Sequence, residues 1–127
     1  MNPVLIIEDN PDNLALIEFI LHKNGYTTQA AITGSDGVDK ALSSAFAFII
    51  LDIQLPGIEG TEVLKIIRSH EREHPECTPV PIIAMTSYAM SGDREKLLAA
   101  GCNGYIEKPI EPLEVMQQIN LILQGET

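Results

Sequence analysis

The stretch Val4-Leu5-Ile6-Ile7-Glu8-Asp9-Asn10-Pro11 decides how the rest of the chain reads. Its first four residues form an apolar run rich in β-branched side chains, the pattern of a buried strand. Its last two mark a helix start: an asparagine to cap, then a proline at the first helical position, where no N–H is needed. Two adjacent carboxylates stand between the strand and the helix.

Outward from this stretch the same alternation recurs. Leu14, Ile17 and Leu21, with Phe19 and Ile20 beside them, carry helical spacing up to Gly25, a helix-stop residue. Tyr26 to Ala31 reads as a second strand, and Thr33-Gly34 opens a second helix with Val38, Ala41 and Leu42 on one face. Phe46 to Leu51 is apolar throughout, as suits a strand covered on both sides. After the loop Asp52 to Gly60 comes a helix carrying Val63, Leu64, Ile66 and Ile67, which frays into charge before Pro75. Pro81 to Met85 reads as the fourth strand. Ser91 caps a helix holding Leu97, Leu98 and Ala99, and Gly101 stops it. Asn103 to Ile106 is a short fifth strand, and Pro112 starts a last helix with Leu113, Met116, Ile119, Ile122 and Leu123. Five strands alternating with five helices predict an α/β fold, a doubly wound parallel sheet with helices on both sides.

The chain has 127 residues, the size of a single domain, and shows no internal repeat, low-complexity run or linker. With 8 basic and 18 acidic residues the net charge is −10. Nucleic acid and anionic membrane would both be repelled, which argues against either as the main partner. No apolar run approaches the length of a membrane span, and the N-terminus lacks the pattern of a signal peptide. Cys77 and Cys102 are too few and too isolated for a disulfide framework, so the expected compartment is the reducing cytoplasm.

In an open parallel sheet, ligands bind beyond the carboxyl ends of the strands. Strand one is followed by Glu8 and Asp9, strand three by Asp52, strand four by Thr86 and Ser87, strand five by Glu107-Lys108-Pro109. Three carboxylates gathered at one edge repel one another and call for a counterion. Hard oxygen ligands with open water positions suit Mg²⁺. A lysine supplies a point charge for phosphate, and a threonine hydroxyl can donate to a phosphoryl oxygen. Asp52 is the candidate nucleophile, because carboxylates form aspartyl phosphates, with Mg²⁺ and Lys108 stabilising the transferring charge. Each residue alone would read as a cap, a turn or a solvated surface group; their joint placement carries the argument.

At these residues the chain resembles the receiver domain of two-component response regulators over essentially its whole length. The matching pieces are Glu8-Asp9, Leu51-Asp52-Ile53-Gln54-Leu55-Pro56-Gly57, Thr86-Ser87, and Tyr105-Ile106-Glu107-Lys108-Pro109. The resemblance implies a flavodoxin-like (βα)5 fold of three α/β/α layers with strand order 2-1-3-4-5. It implies a signalling domain rather than an enzyme, in which Asp52 accepts a phosphoryl group from a phosphohistidine on a sensor histidine kinase or a phosphotransfer protein. Asp9, Asp52 and the backbone carbonyl of Gln54 would bind Mg²⁺ or another divalent cation directly, with Glu8 acting at longer range. Thr86 and Lys108 would contact the phosphoryl oxygens, and the Lys108–Pro109 peptide would be cis. On phosphorylation Thr86 would move toward the phosphoryl group and Tyr105 would rotate inward. That would change the surface of the fourth helix, fifth strand and fifth helix offered to a downstream protein target. The expected assembly is a monomer or a weak phosphorylation-dependent dimer. The expected organisation is a single receiver domain over residues 1–127, without an output domain or direct nucleic-acid binding.

The chain departs from the family pattern at Glu8, where Asp is common, and at Glu59, read here as a cap of the third helix. It departs again at Ala45-Phe46-Ala47-Phe48, read as packing. Gln54 and Tyr88 lie two places beyond Asp52 and Thr86, where side chains can gate attacking water. His70-Glu71-Arg72-Glu73-His74 matches H-E-x-x-H, a zinc-protease pattern. It sits on a frayed, charged helix end with no obvious third ligand on a following helix, so a solvated face or incidental zinc is the better reading. Two other functions fit the chain less well. A phosphohydrolase of one common class needs a second acid two residues past its nucleophile, where this chain has Gln54. A flavin or nucleotide module would call for a glycine-rich turn after strand one or a P-loop, and neither is present.

Overall fold

The computed structural model describes residues 2–87 and 93–125. Its elements run β1 (Val4–Ile7), α1 (Pro11–Lys23), β2 (Thr28–Ala31), α2 (Gly34–Ser43), β3 (Ile49–Asp52), α3 (Gly60–Glu73), β4 (Ile82–Thr86), α4 (Asp93–Ala100), β5 (Gly104–Glu107) and α5 (Val115–Leu123). The strands form one parallel sheet in the order β2-β1-β3-β4-β5, the flavodoxin-like arrangement expected.

Side-chain alternation along each strand sorts the apolar residues into two cores, one on each face. Leu5, Ile7, Ile49, Leu51, Ile82 and Ala84 pack with Val63, Leu64 and Ile67 of α3 and Leu97 of α4. Val4, Ile6, Ile50, Ile83, Met85 and Ile106 pack with Ile17 and Leu21 of α1 and Val115, Ile119 and Ile122 of α5. Both faces are covered, which is why these strands are apolar at every position rather than at alternate ones.

The helix signals work as read where a side chain can reach the backbone. Asn10 Oδ1 accepts from the N–H groups of Asp12 (2.9 Å) and Asn13 (3.0 Å), with Pro11 as the first helical residue. Thr33 Oγ1 accepts from Asp36 N–H at the start of α2. Gly25 and Gly101, just past α1 and α4, both have positive φ, a conformation other residues adopt at a cost.

Four expectations are corrected. β3 begins at Ile49, not Phe46. Ala47 N–H still donates to the Pro3 carbonyl and the Phe48 carbonyl accepts from Leu5 N–H, but Pro81, just before β4, has no N–H with which to bond back to this segment. The two phenylalanines are buried as core instead. The last helix begins at Val115, after a turn over Pro112–Glu114 that leaves Leu113 92% exposed. Glu59 stands at the N-cap position of α3 but makes no side-chain cap hydrogen bond. Leu42 and Phe19 also face outward rather than into a core. The Ser91 cap, Met90 and Tyr88 lie outside the described residues.

Candidate functional site

Asp52, Thr86 and Glu107 are the last residues of β3, β4 and β5, and Glu8 is the first residue after β1. The parallel register therefore delivers all four chain segments to one edge of the sheet. Asp52 and Thr86 are each 2% exposed and Glu8 1%, whereas Asp9 lies in solvent. One ligand oxygen from each of Glu8, Asp9 and Asp52 falls within 4.8 Å of the others.

Lys108 closes the cluster from β5. Its Nζ lies 3.0 Å from Asp52 Oδ1 and 3.5 Å from Glu8 Oε1. The Lys108–Pro109 peptide is cis, as the resemblance implied. Asp52 Oδ1 also accepts from the backbone N–H of Gln54 at 3.0 Å. The loop turns tightly here because Gly60 follows closely: a Cβ on Gly60 would lie 2.6 Å from the Asp52 carbonyl oxygen and 2.5 Å from Ile53 Cα.

The two buried acids are driven apart in proton affinity. Burial, then a hydrogen bond to and repulsion by Asp52, push Glu8 up to about 7, against a lowering by Lys108. Burial also opposes charge on Asp52. Hydrogen bonds from Glu8, Gln54 N–H and Lys108, together with the lysine charge, outweigh it and hold Asp52 below its ordinary value. Ionised, Glu8 leaves Oε1 buried without a hydrogen-bond donor; protonated, the same carboxyl can donate to Asp52. Three carboxylates against one ammonium, with a buried oxygen lacking a donor, fit a hard divalent cation.

The family model for the response regulator receiver domain matches residues 4–120. This chain belongs to that family. It is a receiver domain of two-component systems. It is 36% identical over 120 residues to the polar-differentiation response regulator DivK of Brucella abortus, covering 94% of each. Among solved structures it is similar to the receiver domain of the sensor histidine kinase PA1611 from Pseudomonas aeruginosa, which has a magnesium ion coordinated in its active site cleft. Identity there is 33%, coverage 97% and 98%, and the TM-score 0.81. It is also similar to the receiver domain of Ssk1 from Saccharomyces cerevisiae, solved in complex with the histidine phosphotransfer protein Ypd1. Identity is 31%, coverage 94% and 89%, and the TM-score 0.86.

This receiver domain thus brings together Glu8, Asp9, Asp52 and Lys108, the polar residues picked out at the strand ends. Thr86 and Tyr105 share the face of the sheet that carries α3 and α4, since Tyr105 pairs with Ala84, two residues before Thr86. Gln54 does more than the sequence signalled. Its side-chain Oε1 accepts from Ser87 N–H at 3.4 Å, joining the two lips of the cleft across 33 positions of chain. No local pattern could have shown that contact. The sequence also left Glu8 at longer range, whereas it is the most deeply buried acid of the cluster and touches Lys108. No helix among the described residues is long and apolar enough to cross a membrane.

Proposed function

We propose that Asp52 is the phosphoacceptor of this receiver domain and that it takes its phosphoryl group from a phosphohistidine. The observation that carries this reading is the buried Asp52 carboxylate, kept ionised and held 3.0 Å from the Lys108 ammonium. An Asp52 oxygen attacks phosphorus, the P–O bond forms as the P–N bond of the donor breaks, and the imidazole leaves. Little covalent work falls to the protein in such a transfer; positioning and charge stabilisation dominate. Lys108 meets the developing charge on the phosphoryl oxygens, and the Thr86 hydroxyl donates to one of them. Asp9, Asp52 and the Gln54 backbone carbonyl would hold Mg²⁺, with Glu8 behind them. The bound ion supplies neutralisation of charge between the carboxylates and the incoming phosphoryl group.

Thr86 drawn toward the phosphoryl group vacates space on the face it shares with Tyr105, and Tyr105 turns inward. The surface of α4, β5 and α5 then differs between the two states, and a downstream protein target reads that difference. The donor is a sensor histidine kinase or a phosphotransfer protein. The Ypd1 partner of Ssk1 supports that class. The reading extends to a cytoplasmic domain over residues 1–127 that acts as a monomer or weak phosphorylation-dependent dimer and loses its phosphoryl group slowly by its own chemistry.

Incubation with acetyl phosphate and Mg²⁺ tests the assignment. Wild type gains one phosphoryl mass and Asp52→Asn gains none. Equal labelling of both, or of neither, rejects Asp52 as the acceptor.

A further inference from the structure

The H-E-x-x-H segment plays no part in the site above, and its surroundings are chemically specific. His70 and His74 stand one turn apart on α3 and its C-cap, with ring centroids 4.1 Å apart and planes inclined by 24°. His74 Nδ1 is 2.9 Å from the carbonyl oxygen of His70. A carbonyl can only accept, so Nδ1 carries the hydrogen, and Nε2 of a neutral His74 keeps its lone pair outward. An imidazole whose other nitrogen donates to a backbone carbonyl is the usual arrangement of a metal-binding histidine. Among the described residues no hydrogen bond engages the ring nitrogens of His70.

The chain after α3 turns back. Cys77 N–H donates to the His74 carbonyl at 2.9 Å, which returns an exposed free thiol to the helix end. His70 and Cys77 line one cavity of about 740 Å³, walled by Phe46, Ile49, Ile67 and Val80. The spacing H-x₃-H is one at which paired histidine ligands of structural zinc sites occur, and Cys77 follows His74 by three positions.

We propose that His70, His74 and Cys77 form a second metal site, for zinc or a similar late first-row divalent ion. Imidazole and thiolate are softer than the carboxylates around Asp52, so the two sites select different ions. They also lie far apart, since α3 runs 14 residues from the phosphoacceptor loop to this end, about 20 Å of helix. The nearly parallel rings do not yet aim at one point. The donor atoms of the three residues are not gathered within 4.8 Å of one another, so binding has to draw His70, His74 and Cys77 together at the rim of the cavity. A fourth position is left for water. The site is not a protease centre: Glu71, the acid of the motif, has Oε1 in an ion pair with Arg68 (2.6 Å) and Oε2 accepting from Val80 N–H (2.8 Å).

The test titrates the full chain, with Mg²⁺ in excess to fill the carboxylate site, using Zn²⁺ by calorimetry and Co²⁺ by absorption. One ion binds per chain, and Co²⁺ gives a thiolate charge-transfer band. His70→Asn and His74→Asn each weaken binding by about tenfold or more. Cys77→Ser abolishes the band. Circular dichroism establishes that each variant is folded. No binding above the Mg²⁺ background, unchanged affinity in both histidine variants, or a spectrum unaltered by Cys77→Ser overturns the proposal.

Discussion

Lys108 Nζ and Asp52 Oδ1 meet at 3.0 Å inside a pocket that also holds Glu8, so one ammonium serves two buried carboxylates. Lys108 and a bound cation therefore share the same negative charge and oppose each other. Lys108→Met should bind Mg²⁺ about tenfold more tightly, because the interaction of charges a few ångströms apart at a protein surface amounts to a kilocalorie or more. It should also accept phosphoryl groups from acetyl phosphate more slowly. Calorimetry checks the first effect and mass spectrometry the second; Mg²⁺ affinity equal to wild type would show that the ammonium does not compete.

Glu8 makes stability depend on pH in the sense opposite to most acids. Its folded-state value of about 7 lies above the ordinary 4.5, mainly through burial. The folded protein therefore binds the proton more tightly than the unfolded chain does. The stabilisation is complete below about pH 4.5 and is lost as pH rises through about 7. Asp52 acts the other way, but its loss comes only as pH falls below its ordinary 3.8. In chelator, wild type should lose stability relative to Glu8→Gln between about pH 5 and pH 8, on the order of 3 kcal/mol. Urea unfolding at several pH values measures it. Parallel pH profiles for the two proteins would count against a raised Glu8.

Gly60 is required by packing against the loop that follows Asp52. An alanine methyl would enter the backbone of Asp52 and Ile53 at 2.6 and 2.5 Å, and main chain cannot rotate aside. Gly60→Ala should cost about 2–3 kcal/mol and weaken Mg²⁺ binding together with stability. Denaturation and calorimetry on one preparation test the coupling; a stable variant with wild-type Mg²⁺ affinity would refute it.

Arg68 ties α3 to the connection between α4 and β5. Its Nε donates to Gly101 O (2.9 Å), Nη2 to Asn103 Oδ1 (2.9 Å), and Nη1 pairs with Glu71. Asn103 Oδ1 also accepts from Ile82 N–H, at the start of β4. Arg68→Ala should destabilise by about 2 kcal/mol, since the half-buried Gly101 carbonyl loses its side-chain donor and Glu71 its charge partner, while Asn103 Oδ1 keeps Ile82 N–H. Arg68→Lys should recover only part, because an ammonium lacks the planar fork. Hydrogen exchange at Gly101–Gly104 should accelerate in both. Unchanged exchange in Arg68→Ala would place the loop's stability elsewhere.

By itself the sequence determined the order of elements, the parallel sheet and the edge on which the chemistry gathers. Those follow from patterns a few residues long: unbroken apolar runs, Asn10-Pro11 and Thr33-Gly34 at helix starts, and acids placed just where strands end. Tertiary structure alone decided how the site is charged. Glu8 looks like a solvated loop acid until β3 and β5 deliver Asp52 and Lys108 beside it, and only then do burial and repulsion raise its proton affinity. The bridge from Gln54 to Ser87, the Arg68 fork and the late start of β3 beside Pro81 have the same origin. Each depends on groups far apart in the chain, whose meeting is set by sheet register and packing and leaves no mark on the local pattern of either partner.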